Sequence, residues 1–430
     1  MIQDLQEKKK RIAVLGLGYV GLPLALEFAK KYSVIGFDIN KSRIAQMRNH
    51  EDPSQELSAS AFDGCDIEFT ANTEDLQRAH FFIVTVPTPI DIHNIPNLEP
   101  LLSATQLVGA ALKSGDYVVY ESTVYPGATE EDCLPILERL SGLSLENGDF
   151  SLGFSPERIN PGDKENSLVN ILKIVSGNND EALETIATLY GSIIKKGIYR
   201  ASSIKVAEAA KIIENTQRDI NIALMNELSQ LFAKMGINSN EVIEAASTKW
   251  NFYKVTPGLV GGHCIGVDPY YLTYKASQLG HHAQLISAGR AINDGMPSYV
   301  AQSIVKHLVA AEKCLKDSRV LVMGITFKEN VSDIRNSKIF DVVKELQSLA
   351  IHVDLIDPHA DADQVSDYYG CTLAPEAQGT YDAIVLATKH NEYCNLPEAW
   401  FREHVNPPFI FFDLKGAYYG KFHDVEYFSL

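Results

Sequence analysis

A glycine-rich turn between residues 16 and 21 most constrains what this chain can fold into. Residues 11–15 (RIAVL) are an apolar run typical of a buried strand, and Gly16, Gly18 and Gly21 follow it directly. A helical segment comes next, and a second apolar run ends at Asp38. The G-x-G-x-x-G pattern therefore stands between a strand and a helix, with an acid after the next strand, which is the context of a dinucleotide-binding βαβ unit.

Each residue of the turn has a physical task in such a unit. Gly16 permits the tight turn, Gly18 lets the backbone approach a pyrophosphate, and Gly21 lets helix and strand pack closely. Tyr19 and Val20 complete the turn and are expected to contact the cofactor with it. The pyrophosphate would lie at the N-terminus of the following helix, where backbone N–H groups and the helix dipole favour anions.

Asp38 indicates which dinucleotide is bound. A carboxylate at this position hydrogen-bonds the ribose hydroxyls and repels a 2′-phosphate, so NAD is favoured over NADP. Arg43 stands nearby and weakens this preference. The alternative is a helix-capping glycine turn in an unrelated α/β protein.

Two later apolar runs, residues 81–89 and 116–129, end in polar side chains. In open α/β sheets ligands lie beyond the carboxyl ends of the strands, so these ends should edge the cofactor cleft. The residues concerned are Thr85, Pro87, Thr88, Glu121, Ser122 and Thr123. For Ser122 and Thr123 the alternative is ordinary turn chemistry, which hydroxyl residues also serve.

A single thiol, Cys264, stands in the glycine-rich stretch 257–272 (PGLVGGHCIGVDPYYL), four residues before Asp268. Glycines such as Gly258 and Gly261 allow unusual backbone torsions and close approach of a ligand. This setting favours a presented nucleophile. The alternative is a small buried hydrophobe.

Two further segments supply candidate polar residues. Residues 154–163 (FSPERINPGD) form a proline-stiffened loop that carries Glu157, Arg158 and Ile159. Residues 203–235 lack helix breakers and predict one long helix, which we expect to join two domains and to offer a face to a second subunit. On it, Lys211 and Asn215 are four residues apart and suit a site that stabilises an oxyanion. Lys205 and Glu208 are expected on a solvated face.

The C-terminal third predicts a second α/β unit. Residues 318–328 (SRVLVMGITFK) form a strand and glycine turn, and further strands alternate with helical patterns, which implies another parallel doubly wound sheet. No G-x-G-x-x-G follows the first strand, so a second dinucleotide is not expected. Lys328, Arg335 and Lys415 lie near strand ends and favour a phosphate-bearing substrate, although each alone reads as a surface cation.

Composition excludes several classes of protein. The 430 residues are too many for one core of ordinary size. The net charge of −17 argues against nucleic-acid and anionic-membrane partners. We expect no signal peptide and no membrane span. The six cysteines are scattered without a C-x-x-C pair, which fits reduced thiols in the cytoplasm and predicts neither a disulfide frame nor a metal site.

Six motifs occur in the order found in the UDP-glucose/GDP-mannose 6-dehydrogenases. They are GLGYVGLPLA, ESTVYPG, SPERINPGD, AEAAKIIENTQRD, GGHCIGVDPYYL and GITFKENVSDIRNS. The resemblance covers residues 11–416. Within that family the chain is most similar to the branch that oxidises UDP-N-acetylglucosamine or UDP-N-acetylgalactosamine in bacterial surface-polysaccharide pathways.

The resemblance implies the architecture and the reaction. We expect two Rossmann-like doubly wound parallel-sheet domains joined by a long central helix: an NAD-binding domain at 1–200, a central helical domain with the thiol loop at 201–305, and a UDP-sugar-binding domain at 306–430. The implied reaction converts the sugar C6 alcohol to a carboxylate and reduces two NAD⁺. The resemblance also implies a homodimer built on the long helix.

Site roles follow from the resemblance. It implies that Cys264 is the nucleophile that forms a thiohemiacetal and then a thioester. Lys211 and Asn215 would support the oxyanions, and Asp268 would hold water and assist proton transfer. The remaining roles are thioester hydrolysis by Glu157, water positioning by Thr123, and contacts to substrate or cofactor by Arg158, Ile159, Gly258, Gly261, Lys328 and Arg335.

Two departures from the family pattern bear on the substrate. Pro161 stands where the UDP-glucose branch has a second glutamate, and Val267 stands where it commonly has a lysine. Both argue against UDP-glucose, yet UDP-N-acetylmannosamine and UDP-glucose stay open as alternatives. A two-electron hydroxyacid dehydrogenase would need neither Cys264 nor the second α/β unit. An NAD-binding regulatory protein would not need Cys264, Lys211, Asn215 and Asp268 together.

Overall fold

The computed structural model describes residues 1–54, 56–158 and 168–430. The chain forms two compact units. The first consists of Met1–Glu214 with Tyr270–His282, and the second of Asn215–Pro269 with Ala283–Leu430. The predicted division into three domains at 1–200, 201–305 and 306–430 stays a prediction.

Within the described residues, an eight-stranded sheet forms the centre of the first unit. Its strands are β1 (Ile12–Leu15), β2 (Val34–Phe37), β3 (Ile67–Thr70), β4 (Phe81–Val84), β5 (Tyr117–Tyr120), β6 (Ser151–Phe154), β7 (Lys173–Gly177) and β8 (Ile198–Arg200). They lie in the order β3-β2-β1-β4-β5-β6-β7-β8. Neighbouring strands are parallel except for β6 and β7, which are antiparallel. The first six strands have the order of a dinucleotide-binding sheet.

The helices of this unit are α1 (Ile2–Gln6), α2 (Gly21–Ala29), α3 (Lys41–Arg48), α4 (Glu99–Ala111), α5 (Leu134–Ser141) and α6 (Asp180–Gly191). Side chains of Asn40 and Asn179 cap α3 and α6 by accepting hydrogen bonds from the first-turn backbone. Every residue of β1, β2, β4 and β5 is buried, so both faces of these strands are covered. That burial explains why their sequences are continuous apolar runs.

The next helices are α7 (Ile204–Met235), α8 (Ser239–Ser247), α9 (Asp268–Gln278) and α10 (Gln284–Ala310). The long helix predicted over 203–235 is therefore confirmed. Along the chain, α7 passes from the first unit to the second after Glu214, and α9 returns to the first after Pro269. In the part of the chain that the structure describes, no helix has both the length and the apolarity needed to cross a bilayer.

The second unit is built on a five-stranded parallel sheet, as far as its residues are described. Its strands are β9 (Arg319–Met323), β10 (His352–Ile356), β11 (Ala383–Leu386), β12 (Ile410–Asp413) and β13 (Glu426–Phe428), in the order β10-β9-β11-β12-β13. The remaining helices are α11 (Ile339–Ser348), α12 (Ala362–Tyr369), α13 (Asn391–Cys394) and α14 (Glu398–His404). This confirms the predicted second doubly wound sheet.

Alternating residues of β9 show how this sheet is buried. Val320 and Val322 belong to one apolar cluster, with Val300 and Ile304 of α10, whereas Leu321 and Met323 belong to another. Successive strand residues point to opposite faces, so each face of the sheet has its own core. The carboxyl ends of the strands therefore emerge from a rigid centre.

Candidate active site

The glycine turn between β1 and α2 leaves room for a ligand at one position only. Gly16 has φ +92°, which favours glycine, and its N–H donates to the Phe37 carbonyl at 2.9 Å. A Cβ on Gly21 would lie 1.9 Å from the Gly16 oxygen, whereas one on Gly18 would meet nothing within 4 Å. Gly21 is thus required for packing, and Gly18 leaves its backbone open to a pyrophosphate.

Asp38, just after β2, and Arg43, in the first turn of α3, hold this turn. The Asp38 carboxylate accepts hydrogen bonds from Leu17 N at 3.0 Å and from Asn40 N at 2.8 Å. The Arg43 guanidinium donates to the Leu17 carbonyl at 2.8 Å. Tyr19 is half-buried and Val20 is buried in the same turn. Turn, helix start and acid together fit the adenosine and pyrophosphate parts of NAD.

Hydroxyl groups connect the ends of β1, β4 and β5. The Thr85 hydroxyl donates to the Gly16 carbonyl at 2.7 Å, Ser122 to the Val86 carbonyl at 2.6 Å, and Thr88 to the Thr123 carbonyl at 2.6 Å. Thr123 itself is half-buried, and Pro87 is exposed. The predicted residues therefore lie at one edge of the sheet, and three of the hydroxyls fix the shape of that edge.

Tyr271 packs beneath the same edge. Its side chain is fully buried, and its hydroxyl donates to the Thr88 carbonyl at 2.7 Å. A buried ring with its hydroxyl bonded to the backbone indicates that Tyr271 is a packing residue.

Glu157 follows β6 and is 6% exposed. Its carboxylate lies 3.9 Å from Lys173 Nζ, a fully buried cation on β7. The Arg158 guanidinium pairs with Glu214 at 2.8 Å and donates to the Leu172 carbonyl at 3.1 Å. Ile159, also predicted to bind substrate, lies outside the described residues.

In the second unit, Cys264, Asp268 and Asn215 come together. Residues 262–267 form a turn, and Asp268 N donates to the Cys264 carbonyl at 2.8 Å. Asp268 begins α9 and is 2% exposed, and its carboxylate accepts a hydrogen bond from Asn215 Nδ2 at 2.5 Å. Cys264 is half-buried. A thiol-bearing residue therefore adjoins a buried carboxylate with a fixed orientation.

Two asparagines that sequence reasoning missed anchor the thiol loop. Asn226 of α7 is fully buried and exchanges two hydrogen bonds with the backbone of Gly258, at 2.8 and 3.0 Å. Asn336 Nδ2 donates to the Gly262 carbonyl at 2.7 Å, and Gly262 N donates to the Asn336 carbonyl at 3.2 Å. A Cβ on Gly261 would lie 2.6 Å from that same carbonyl. The glycines of the loop are therefore needed for close packing.

His263 directly precedes the thiol, and its pKa lies below the ordinary value for histidine. Burial lowers its pKa, and the positive charge of Arg335 lowers it further, whereas Asp333 opposes both effects from 3.8 Å. Arg335 in turn is paired with Asp333 at 2.8 Å. Burial acts to raise the pKa of Asp333, but the hydrogen bonds from Arg335 prevail and lower it.

A small cleft in the second unit is lined by two of the three predicted cations, Lys328 and Lys415, but not by Arg335. Gly261, Glu329 and Lys338 also line it. Desolvation lowers the pKa of Lys415, and a Cβ on Gly258 would lie 2.8 Å from its Nζ. Three ammonium groups against one carboxylate in this cleft suit a phosphate-bearing ligand.

The expectation of a solvated Glu208 was wrong. Its side chain is fully buried, and its carboxylate accepts hydrogen bonds from Gly127 N at 2.5 Å and Thr129 N at 3.0 Å. Burial raises the pKa of Glu208 to about 7 against these bonds. The one hint in the sequence that Glu208 differs from a solvated glutamate is its position three residues before Lys211 on the same helix.

Lys211 is 7% exposed on α7 and belongs, with Thr123 and Glu157, to the first unit. The second unit contains Asn215, Cys264, Asp268, Gly258, Gly261, Lys328 and Arg335. Their predicted catalytic and binding roles stay predictions.

Three family models match successive parts of the chain. Residues 10–194 match the NAD binding domain of the UDP-glucose/GDP-mannose dehydrogenase family. Residues 205–295 match its central domain, and residues 321–419 match its UDP binding domain.

Individual relatives agree with these matches. The chain is 52% identical over 410 residues to a UDP-N-acetyl-D-glucosamine 6-dehydrogenase of Pseudomonas aeruginosa, covering 95% of this chain and 97% of that protein. It is 48% identical over 407 residues to the enzyme of the same name from Salmonella typhi, covering 94% and 96%. Among solved structures, it resembles a UDP-D-ManNAc dehydrogenase of Pyrococcus horikoshii with a TM-score of 0.87 and 32% identity, over 97% and 98% of the two chains.

Proposed function

Because this chain belongs to the UDP-glucose/GDP-mannose dehydrogenase family, we propose that it oxidises the C6 alcohol of UDP-N-acetylglucosamine to a carboxylate. It is an NAD-dependent oxidoreductase that acts on a nucleotide sugar. The relatives named for UDP-N-acetylglucosamine share about half of its residues, and the UDP-ManNAc dehydrogenase of known structure shares about a third. UDP-N-acetylgalactosamine, UDP-N-acetylmannosamine and UDP-glucose are the competing substrates.

The observation that carries the proposal is the arrangement around the thiol. Cys264 lies in a loop anchored by Asn226 and Asn336, and the adjoining Asp268 carboxylate is held by Asn215 at 2.5 Å. A simple two-electron dehydrogenase has no use for a thiol in an anchored loop four residues before a buried carboxylate. A positioned nucleophile divides a difficult oxidation into easier steps.

Bound NAD⁺ supplies the hydride acceptor, once for each of the two oxidations. Loss of the first hydride and of the hydroxyl proton gives the C6 aldehyde. The Cys264 thiolate adds to the aldehyde carbon and forms a thiohemiacetal, and loss of the second hydride and a proton gives a thioester on Cys264. Water then attacks the thioester carbon, the C–S bond breaks, and the carboxylate leaves. One alcohol and one water thus yield one carboxylate, two NADH and three protons.

The other site residues act on charge and water in this scheme. Lys211 and Asn215 stabilise the oxyanions, and Asp268 holds water and assists proton transfer. Glu157 accepts the proton of the water that hydrolyses the thioester, and Thr123 positions water near the nicotinamide. Arg158, Ile159, Gly258, Gly261 and Lys328 contact the UDP-sugar, and Arg335 contacts the cofactor.

The chain should work as a homodimer in the cytoplasm, where Cys264 stays reduced. Five apolar residues of α7 are about half exposed, namely Val206, Ile213, Leu224, Leu231 and Met235. Their spacings of seven, eleven, seven and four residues place them on one face of the helix. Two such faces would cover each other in a symmetric pair. The uronic acid product suits the synthesis of surface polysaccharide.

The direct test measures NADH formed per sugar consumed. The protein is incubated with NAD⁺ and, separately, with UDP-GlcNAc, UDP-GalNAc, UDP-ManNAc and UDP-glucose. We expect two NADH per UDP-GlcNAc, and a Cys264→Ser variant that forms no uronic acid. Cys314→Ser changes an exposed thiol and is the matched control. One NADH per sugar, or a fully active Cys264→Ser variant, would contradict the thioester route.

A further inference from the structure

A buried charge network lies behind Glu157 in the first unit. Lys173 Nζ is 2.6 Å from Glu121 Oε2 and 3.9 Å from Glu157 Oε2. It also donates to the Pro156 carbonyl at 3.1 Å, which belongs to the residue directly before Glu157. The Tyr190 hydroxyl donates to the second oxygen of Glu121. Lys173 therefore lies between the carboxylates of Glu121 and Glu157 and donates a hydrogen bond to the backbone directly before Glu157.

All members of the network are withdrawn from solvent. Lys173 and Tyr190 are fully buried, Glu121 is 1% exposed, and Glu157 is 6% exposed. Charges are weakly screened at such sites, so each charge acts strongly on its neighbours. Burying a lysine and a glutamate far from water is unfavourable unless the pair is well bonded, and a pair of apolar residues would often serve stability as well. The pair therefore needs an explanation beyond stability.

The two carboxyl groups influence each other through this network. Burial raises the pKa of Glu121, Lys173 opposes that rise, and the negative charge of Glu157 adds to it. The next residue along the chain, Arg158, has partners of its own. The guanidinium of Arg158 is paired with Glu214 of α7, while Arg158 N donates to Glu157 Oε1 at 2.5 Å. Lys173 is a buried cation within 4 Å of the Glu157 carboxylate.

We propose that Lys173 and Glu121 are positioning residues that set the orientation and the proton affinity of the Glu157 carboxylate. The assignment rests on the proposed function of Glu157 as the proton acceptor in thioester hydrolysis. Lys173 attracts the Glu157 carboxylate, and Glu121 limits that attraction by sharing the same cation.

Opposite changes in the network should shift the pH dependence in opposite directions. Glu121→Gln keeps an acceptor for Lys173 and Tyr190 but removes the competing charge, so Lys173 acts on Glu157 alone. The acid limb of thioester hydrolysis should then move to lower pH by about one unit. Lys173→Met removes the cation and leaves two facing carboxylates, so the limb should move to higher pH by a similar amount.

Rapid-quench measurement of the Cys264 thioester separates its hydrolysis from the two oxidations. Formation of the first NADH is followed in the same samples, so that a pH shift confined to thioester hydrolysis is told apart from one common to all steps. Glu184→Gln is the matched control, because it neutralises one partner of the exposed Arg200–Glu184 pair in the same unit. If Lys173→Met does not fold, the double variant Lys173→Met/Glu121→Gln removes both charges. The acid limb of thioester hydrolysis in this double variant should lie at higher pH than in Glu121→Gln.

Infrared difference spectra distinguish two outcomes: that this inference is wrong, and that the proposed function of Glu157 is wrong. The carboxyl stretch that disappears in Glu157→Gln reports protonation of Glu157 directly, without activity. Opposite displacements of that titration in Glu121→Gln and Lys173→Met support the positioning role. If they occur while Glu157→Gln hydrolyses the thioester normally, the catalytic role of Glu157 fails alone. Titrations that superimpose on the wild type, or that move in the same direction, overturn the inference.

Discussion

Asn215 and Asp268 show how one hydrogen bond can orient a buried carboxylate. The amide of Asn215 donates to a carboxylate that is 2% exposed, so it fixes the position of Asp268. In the proposed mechanism, Asn215 would therefore act through Asp268 as well as on the oxyanions.

Replacing Asn215 by Asp should remove this support without changing the size of the side chain. Two carboxylates then face each other, one of them binds a proton, and an oxyanion donor is lost. We expect kcat to fall about 100-fold, as on removal of one oxyanion donor elsewhere. Steady-state kinetics from pH 6 to 9 measure the change, and a variant with the turnover of the wild type would contradict it.

Glu208 predicts a pH dependence of stability. Its pKa is raised from 4.5 to about 7, so between these values the folded state holds a proton that the unfolded state releases. Stability must therefore fall as the pH rises through this range, and the loss is complete above the folded pKa. A rise of this size corresponds to about 3 kcal/mol.

Glu208→Gln removes this titration. The free energy of unfolding of the wild type minus that of the variant should decrease by about 3 kcal/mol from pH 4.5 to pH 8. Urea unfolding at several pH values measures the difference. A difference that does not vary with pH would show that the hydrogen bonds from Gly127 and Thr129 keep Glu208 ionised throughout.

At the scale of elements, the β1–α2 turn offers two glycines with opposite requirements. Gly21 has no space for a Cβ, whereas Gly18 has open space beside it. Gly21→Ala should lower the free energy of unfolding by about 3 kcal/mol, because the Gly16 carbonyl must move. Gly18→Ala should keep the thermal midpoint of the wild type and weaken NAD⁺ binding about tenfold or more, since the methyl group occupies the pyrophosphate position.

Thermal unfolding and NAD⁺ titration calorimetry separate these two outcomes. Equal loss of stability in both variants would mean that Gly18 is also needed for packing. Unchanged NAD⁺ affinity in Gly18→Ala would place the pyrophosphate elsewhere.

The elements that could be predicted from sequence are those whose pattern depends on neighbours in the chain. The apolar run and glycines of residues 11–21 specify β1, the turn and α2, and the absence of breakers over 203–235 specifies α7. The exceptions depend on partners far along the chain. The burial of Lys173 depends on its ion pair with Glu121, which is 52 residues away in the sequence. The burial of Asn226 depends on its hydrogen bonds to the Gly258 backbone, 32 residues away. A short-range sequence pattern therefore cannot reveal these two contacts.

At the scale of the whole molecule, the exposed apolar face of α7 makes association a testable property. Leu224→Glu with Leu231→Glu should convert a dimer to a monomer, because four buried charges would face each other across the symmetric contact. Light scattering after size exclusion gives the mass. Leu349→Glu is the control, since it changes an equally exposed leucine outside α7. A double variant that keeps the mass of the wild type would exclude this face as the interface.

The Lys173–Glu121 pair also has a consequence for how such chains diverge. A change at either position alone leaves a charge buried without its partner, so each single step is disfavoured although the joint exchange is tolerated. The two positions, 52 residues apart, should therefore vary together among descendants. A lineage that exchanges the pair passes through a single variant with one unpaired buried charge, and only a protein with stability to spare can tolerate that variant. The exchange therefore depends on stabilising mutations that occur before it.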